Sequence, residues 1–198
     1  MISALREDAF LERATVAAGL ATRKAVMRDI PSILSLINGY AARGIMLPRT
    51  EFEMSEAIRD FTVVTRGEEF LGCGALHFYS LTLGEIRSLA VQEKAKTQGA
   101  GGRLVEALVQ EAHVYELDAV FAFTYVVEFF NKVGFQEVER GVLPLKAWRD
   151  CLRCPKFNAC DEIAVLRVLR PQAWAEAQPQ IWPSDGDQYV QIPKARFP

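Results

Sequence analysis

Apolar positions along the chain change period several times, and the changes mark its elements. Leu5, Ala9, Val16 and Leu20, behind a capping Ser3, fit a short amphipathic helix within residues 1–21. Thr22 to Met27 reads as a strand. Asp29 then stands as an N-cap with Pro31 in the first turn, and Ile33, Leu34, Leu36 and Ile37 line one face of a helix that ends near Asn38-Gly39. A loop, Ala42 to Arg49, leads to a second helical stretch, Glu51 to Arg59. Phe61 to Thr65, Phe70 to Phe78 and Gly84 to Val91 are rich in β-branched and aromatic residues. Breaks at Arg66-Gly67-Glu68 and Leu81-Thr82 separate them, which predicts an antiparallel meander.

A glycine cluster, Gly99, Gly101 and Gly102, opens the next helix. Its apolar positions Leu104, Val105, Leu108, Val109 and Ala112 recur at three and four. Ala119 to Thr124 is a short apolar strand. Val127 to Val133 is a short helix stopped by Gly134, and Phe135 to Arg140 and Glu162 to Leu169 are the last strands. Helices set between strands around a central meander imply an α/β fold on a mixed sheet. Five of the nine prolines, with Trp174 and Trp182, fall beyond Arg170. The expected layout is an N-terminal helical extension (1–21), one domain (22–170) and a Pro/Trp-rich tail (171–198) outside the core.

The charge adds exclusions. A net charge of −2 on 198 residues asks for neither nucleic acid nor an anionic membrane as partner. No apolar run approaches the roughly 20 residues of a membrane span, and charges at Arg6, Glu7, Asp8, Glu12 and Arg13 break any leader, so a cytoplasmic protein is the expectation. His77 and His113 are the only histidines, which excludes a histidine-rich metal centre. Cys151, Cys154 and Cys160 lie within ten residues. A structural zinc site wants four ligands, so Cys73 or His77 would have to join them; a local disulfide or free thiols are the alternatives, and the function expected here requires no metal.

The stretch from Val91 to Val105 runs from strand through turn to helix. Glycines permit close backbone approach, and the first N–H groups of a helix have no partner within it, so the site suits an anion. Neither the P-loop nor the dinucleotide fingerprint fits these glycines.

Lys96-Thr97-Gln98-Gly99-Ala100-Gly101 resembles the acyl-CoA signature of the GNAT acetyltransferases, with Lys96 where that family usually has Arg or Gln. Phe129-Phe130-Asn131-Lys132-Val133-Gly134-Phe135 resembles its second signature. The resemblance spans about residues 22–170. It implies a mixed sheet whose two middle strands splay apart, with acetyl-CoA as co-substrate. Ser88, Leu89, Ala90 and Val91 would offer a strand edge to the pantetheine. Lys96, Gln98, Gly99, Ala100, Gly101, Gly102 and Arg103 would hold the pyrophosphate, and Phe130 and Lys132 would complete the cofactor site.

Gly44 to Thr50, Gly72 to Leu76, Gly84 to Val91, Phe123 to Tyr125 and Leu143 to Glu162 are similar, in order, to short amino-acid N-acetyltransferases of the arginine pathway, the N-acetylglutamate synthases. The resemblance implies transfer of acetyl to the α-amine of a small acidic amino acid, L-glutamate. Glu85 would take the amine's proton, and a backbone N–H near Leu89 would polarise the carbonyl. Where many family members carry a Tyr to protonate the thiolate, this chain has Phe130; Tyr125 or Thr124 is the nearest substitute. Leu47, Arg49, Arg87, Ser88, Lys146 and Lys156 would hold the acceptor, the cations facing its carboxylates. Dimerisation is common in this fold class, so the resemblance leaves a homodimer open. Other amines (a protein N-terminus, a polyamine, a drug) and a non-catalytic acyl-CoA sensor remain as alternatives.

Overall fold

A computed structural model describes residues 19–139, Leu143, Lys156 and residues 160–181. The expected helix within residues 1–21 lies, through residue 18, outside the described residues, as do Lys146, Cys151 and Cys154. Among the described residues seven strands form one sheet: β1 (Ala21–Lys24), β2 (Phe61–Arg66), β3 (Glu69–Phe78), β4 (Leu83–Val91), β5 (Ala119–Thr124), β6 (Gln136–Val138) and β7 (Ile163–Val168). Their order is β1-β2-β3-β4-β5-β7-β6. Every neighbouring pair is antiparallel except β4 with β5.

Among the described residues, five α-helices flank the sheet: α1 (Ile30–Ala41), α2 (Glu51–Ala57), α3 (Ala100–Val114), α4 (Val127–Lys132) and α5 (Pro171–Ile181). Strand alternation sorts the core into two faces. On one, Leu76, Ile86, Val120 and Ala122 pack against Val105, Leu108 and Val109 of α3. On the other, Phe61, Val63, Cys73 and Ala75 meet Ile33 and Ile37 of α1 and Met54 of α2. Beside them, Leu83, Phe121 and Leu166 form a separate cluster.

Three local expectations are corrected. Helix α1 does not stop at Asn38-Gly39. It runs to Ala41 because Tyr40 is buried and its hydroxyl donates to the Val91 carbonyl at 2.7 Å. Asp29 stands before α1 but makes no side-chain cap there. Its carboxylate turns back to Arg23, at 2.6 and 2.8 Å, and to the Val26 N–H. Finally, the chain beyond Arg170 is not all outside the core. Residues Pro171–Ile181 form α5, and Trp174, 6% exposed, packs with Leu83, Phe121, Leu143 and Leu166. Indole burial outweighs the proline-rich composition that marks a tail.

Candidate active site

Two irregularities in β4 make the site. The first is the end of its parallel pairing. β4 and β5 are in register only at Leu83 with Ala119, Gly84 with Val120 and Glu85 with Phe121. Beyond Glu85 the strands part, as the splay expected from the sequence requires, and among the described residues β4 from Ile86 to Val91 has no paired strand on that side. The second is a bulge. Cys73 faces Ala90 and Ala75 faces Arg87, so Ser88 and Leu89 together oppose Gly74. Ser88 sits at φ 53°, a left-handed conformation rare for a non-glycine residue. Gly74 accepts the crowding: a Cβ there would meet side-chain atoms of Leu89 and Leu108 at 3.0 and 3.1 Å. A bulge re-aims backbone groups out of the ladder.

Between the parted strands lies a cleft of ≈ 890 Å³. It gathers Leu47, Arg49, Glu85, Arg87, Ser88, Leu89, Ala90, Val91, Lys96, Gly101, Thr124, Tyr125 and Phe130 from the residues expected at the site. Glu85 and Arg87 reach it from one side of β4, two residues apart. Arg49 is set by its backbone, because the Asn38 side chain donates to the Arg49 carbonyl at 3.0 Å and accepts from its N–H at 2.9 Å. Thr50 then caps α2, exchanging hydrogen bonds with Glu53.

The glycines divide the work at the mouth of α3. Gly99, at φ +80°, ends a 3-10 turn (Glu93–Gln98) and starts the helix. Gly101 faces the cleft, and a Cβ there would touch the Phe129 ring at 3.2 Å. Close approach at Gly101 thus depends on a missing side chain, and a phosphate of acetyl-CoA would fit such a place. Lys96 lines the cleft and pairs with Glu93 at 3.0 Å; that bond, with the Tyr40 hydroxyl as a second partner, holds its ammonium above the ordinary value. The Gln98 amide is engaged by Arg66 and by the Lys94 carbonyl, so this residue offers an anion its backbone rather than its side chain. Arg103 and Lys132 are exposed and outside the cleft lining.

The two acid candidates differ. Thr124 is buried, and its hydroxyl oxygen accepts from the Val126 N–H at 2.9 Å. Tyr125 lies at the exposed rim. Its hydroxyl donates to Asp161 at 3.0 Å and accepts from Lys156 at 3.3 Å. Partial desolvation, with help from Asp161, raises this phenol above its ordinary value, while Lys156 opposes the shift. Lys156 itself is bound to Asp161 at 3.0 Å and lies outside the cleft lining, beside Tyr125 at the rim. Phe130 is buried, edge-on to Phe129 and Phe135, as a packing aromatic.

Sequence reasoning missed Glu56, Asp60, His77 and Glu162, which also line the cleft. Strand register was the signal for His77, which stands directly opposite Glu85. Cys73 is fully buried, and burial pushes its thiol up to about 12, so it is no nucleophile at neutral pH. No group of three or more His, Cys, Asp or Glu suited to a metal ion occurs among the described residues.

Comparison with known proteins agrees with this architecture. The acetyltransferase (GNAT) family profile matches residues 36–135. An uncharacterised N-acetyltransferase of Chlorobaculum tepidum is 43% identical over 156 residues, 77% of this chain and 99% of the relative. The amino-acid acetyltransferase of Mycobacterium tuberculosis is 37% identical over 120 residues, 59% of this chain and 68% of the relative. The N-acetylglutamate synthase of Neisseria gonorrhoeae, solved with coenzyme A and N-acetyl-glutamate, superposes with a TM-score of 0.69 at 29% identity, covering 78% of this chain. This chain spans only 36% of that enzyme's length. The chain belongs to the GNAT acetyltransferase family, and it is an acyltransferase that uses acetyl-CoA.

Proposed function

We propose that this chain acetylates the α-amine of a small acidic amino acid, L-glutamate. The observation that carries the reading is the grouping of Arg49, Arg87 and Glu85 around one cleft, beside the open edge of β4. Two arginines give a dicarboxylate bidentate partners. Similarity to enzymes that act on amino acids supports the same acceptor class.

Acetyl-CoA supplies an acetyl group already activated as a thioester. The residues of this chain do the rest. The cradle at Gly99 to Gly102 holds the pyrophosphate, and the β4 edge from Ser88 to Val91 aligns the pantetheine as an added strand would. Arg49 and Arg87 orient the acceptor by its carboxylates. Glu85 removes a proton from the ammonium, directly or through one water, so that the amine attacks in its neutral form. A backbone N–H near Leu89, at the bulge, polarises the acetyl carbonyl. Tyr125 or Thr124 returns a proton to the leaving sulfur.

A second reading keeps the reaction and changes the acceptor. Glu53, Glu56, Asp60 and Glu162 share the cleft with the two arginines, and that surplus of carboxylates favours an acceptor with a cationic end. An acceptor panel separates the two. Release of CoA thiol is measured with L-glutamate, L-aspartate, L-glutamine, L-arginine, spermidine and a peptide N-terminus. The glutamate reading expects the highest kcat/KM with L-glutamate. A preference for spermidine or arginine would replace it with the cationic one.

A further inference from the structure

We infer that His77, held by Asp60, is a positioning and proton-relay residue that returns the proton taken up by Glu85 to solvent. The inference rests on Glu85 acting as the base of the proposed reaction.

The need follows from the stoichiometry. An ammonium acceptor and a thioester give an amide, a free thiol and one net proton. The C–N bond forms, the C–S bond breaks, the sulfur takes one proton, and a second must leave the enzyme in every turnover. Glu85 is the wrong group to release it alone. It is 6% exposed, in the last rung of the parallel pairing, with Phe121 opposite on β5. On its other side, on β3, its directly opposed residue is His77. Such cross-strand pairs share a face of the sheet, with Cβ atoms about 5 Å apart. That is a span a single hydrogen bond or one water closes.

His77 has the properties a relay needs. Its side chain is 39% exposed, so it reaches solvent where Glu85 does not. Its Nδ1 lies 3.3 Å from the Asp60 carboxylate, which fixes the ring from the turn after α2. With the Nδ1 proton donated to Asp60, Nε2 is left as the nitrogen that accepts a proton, and an imidazole can take a proton on one nitrogen and give one from the other. The Tyr79 ring sits edge-on to it, with centroids 6.2 Å apart. The other charged groups lining the same cleft are Arg49, Glu53 and Glu56 of α2, Arg87 of β4, Lys96 and Glu162. The path therefore runs from the Glu85 carboxylic acid to His77 Nε2, and from the imidazolium to water.

The test compares wild type, Glu85→Gln, His77→Gln, His77→Ala and Asp60→Asn. Each is assayed with acetyl-CoA and the acceptor that the panel ranks first, from pH 6 to 9, at several imidazole concentrations. His77→Gln should lower kcat about tenfold, with KM for acetyl-CoA unchanged. His77→Ala should regain rate as imidazole rises, whereas wild type stays insensitive to it. Asp60→Asn should lower kcat less than His77→Gln does, because the ring loses its anchor but keeps Nε2; a loss larger than that of His77→Gln would count against the relay. If His77→Gln keeps the wild-type kcat while Glu85→Gln is inactive, the relay is wrong and the Glu85 base stands. A loss in the His77 variants that imidazole does not relieve also overturns the relay, since a merely structural role would produce it. A Glu85→Gln enzyme with the wild-type rate removes base and relay together.

Discussion

Three glycines within four positions should respond to the same added methyl group in three ways. Gly99 has open space around its missing Cβ but sits at φ +80°. Alanine there is strained by about 1 kcal/mol, and asparagine, which tolerates the left-handed region, less. Gly102 has ordinary helical geometry and only Val133 Cγ1 near its Cβ direction, at 3.9 Å. Alanine there should stabilise the protein by about 0.5 kcal/mol, through the lower backbone entropy of the unfolded chain. Gly101 is the crowded one, with the two nearest Phe129 ring atoms at 3.2 Å. Its helix gain is offset by an overpacking cost near the low end of the usual range, about 1 kcal/mol, because Phe129 is only partly buried and shifts by tenths of an ångström. Gly101→Ala should therefore leave stability nearly unchanged. Its methyl and the displaced ring, however, both intrude on the acetyl-CoA side of the cleft. Affinity should fall about tenfold, or ~1.4 kcal/mol, and further in Gly101→Val. Urea denaturation reads the first quantity and titration calorimetry with acetyl-CoA the second. If Gly101→Ala binds acetyl-CoA within twofold of wild type, or Gly102→Ala loses as much affinity, the cradle is wrongly placed.

Asp29→Asn should destabilise the fold in a pH-dependent way. The Arg23 hydrogen bonds hold this carboxyl below its ordinary value. Its contribution is present above the unfolded pKa, about 4, and fades as pH falls through the folded one, so the gap to wild type in urea should narrow in acid; a gap that widens below pH 4 would contradict this. Trp174→Ala should cost about 3 kcal/mol of unfolding free energy, and a loss under about 1 kcal/mol would return α5 to the status of a loose tail. Arg49→Ala should raise the acceptor KM about tenfold or more, with the acetyl-CoA KM unchanged. Asn38→Ala should do the same more weakly, by releasing the Arg49 backbone; equal effects on both substrates would argue against the acceptor assignment.

What could be read from the sequence was whatever a local pattern encodes. The apolar run Ala119–Thr124 is a strand with those bounds, and the three-and-four spacing of α3 is its buried face. The glycine cluster is where the helix begins. Features set by long-range geometry were not legible. Tyr40 extends α1 through a bond to Val91, 51 residues away. The Asn38 clamp on Arg49 joins a helix to a loop. His77 carries no motif of its own; only the register of β3 on β4 sets it opposite Glu85. Lys156 looked like one more cation in a basic stretch, and its pairing with Asp161 and Tyr125 needed the folded chain.

The short joint between β4 and β5 has a further consequence. An unpaired strand on the rim of a sheet is a template on which other chains aggregate. Here the unpaired stretch from Ile86 to Val91 is recessed in the middle of the sheet, with the α1–α2 loop on one bank and the end of β5 on the other. A second protein's strand carries side chains above and below its plane and would need the room those banks occupy. Recessed in this way, the protein's open hydrogen-bonding edge is not offered to its neighbours as a rim strand would be.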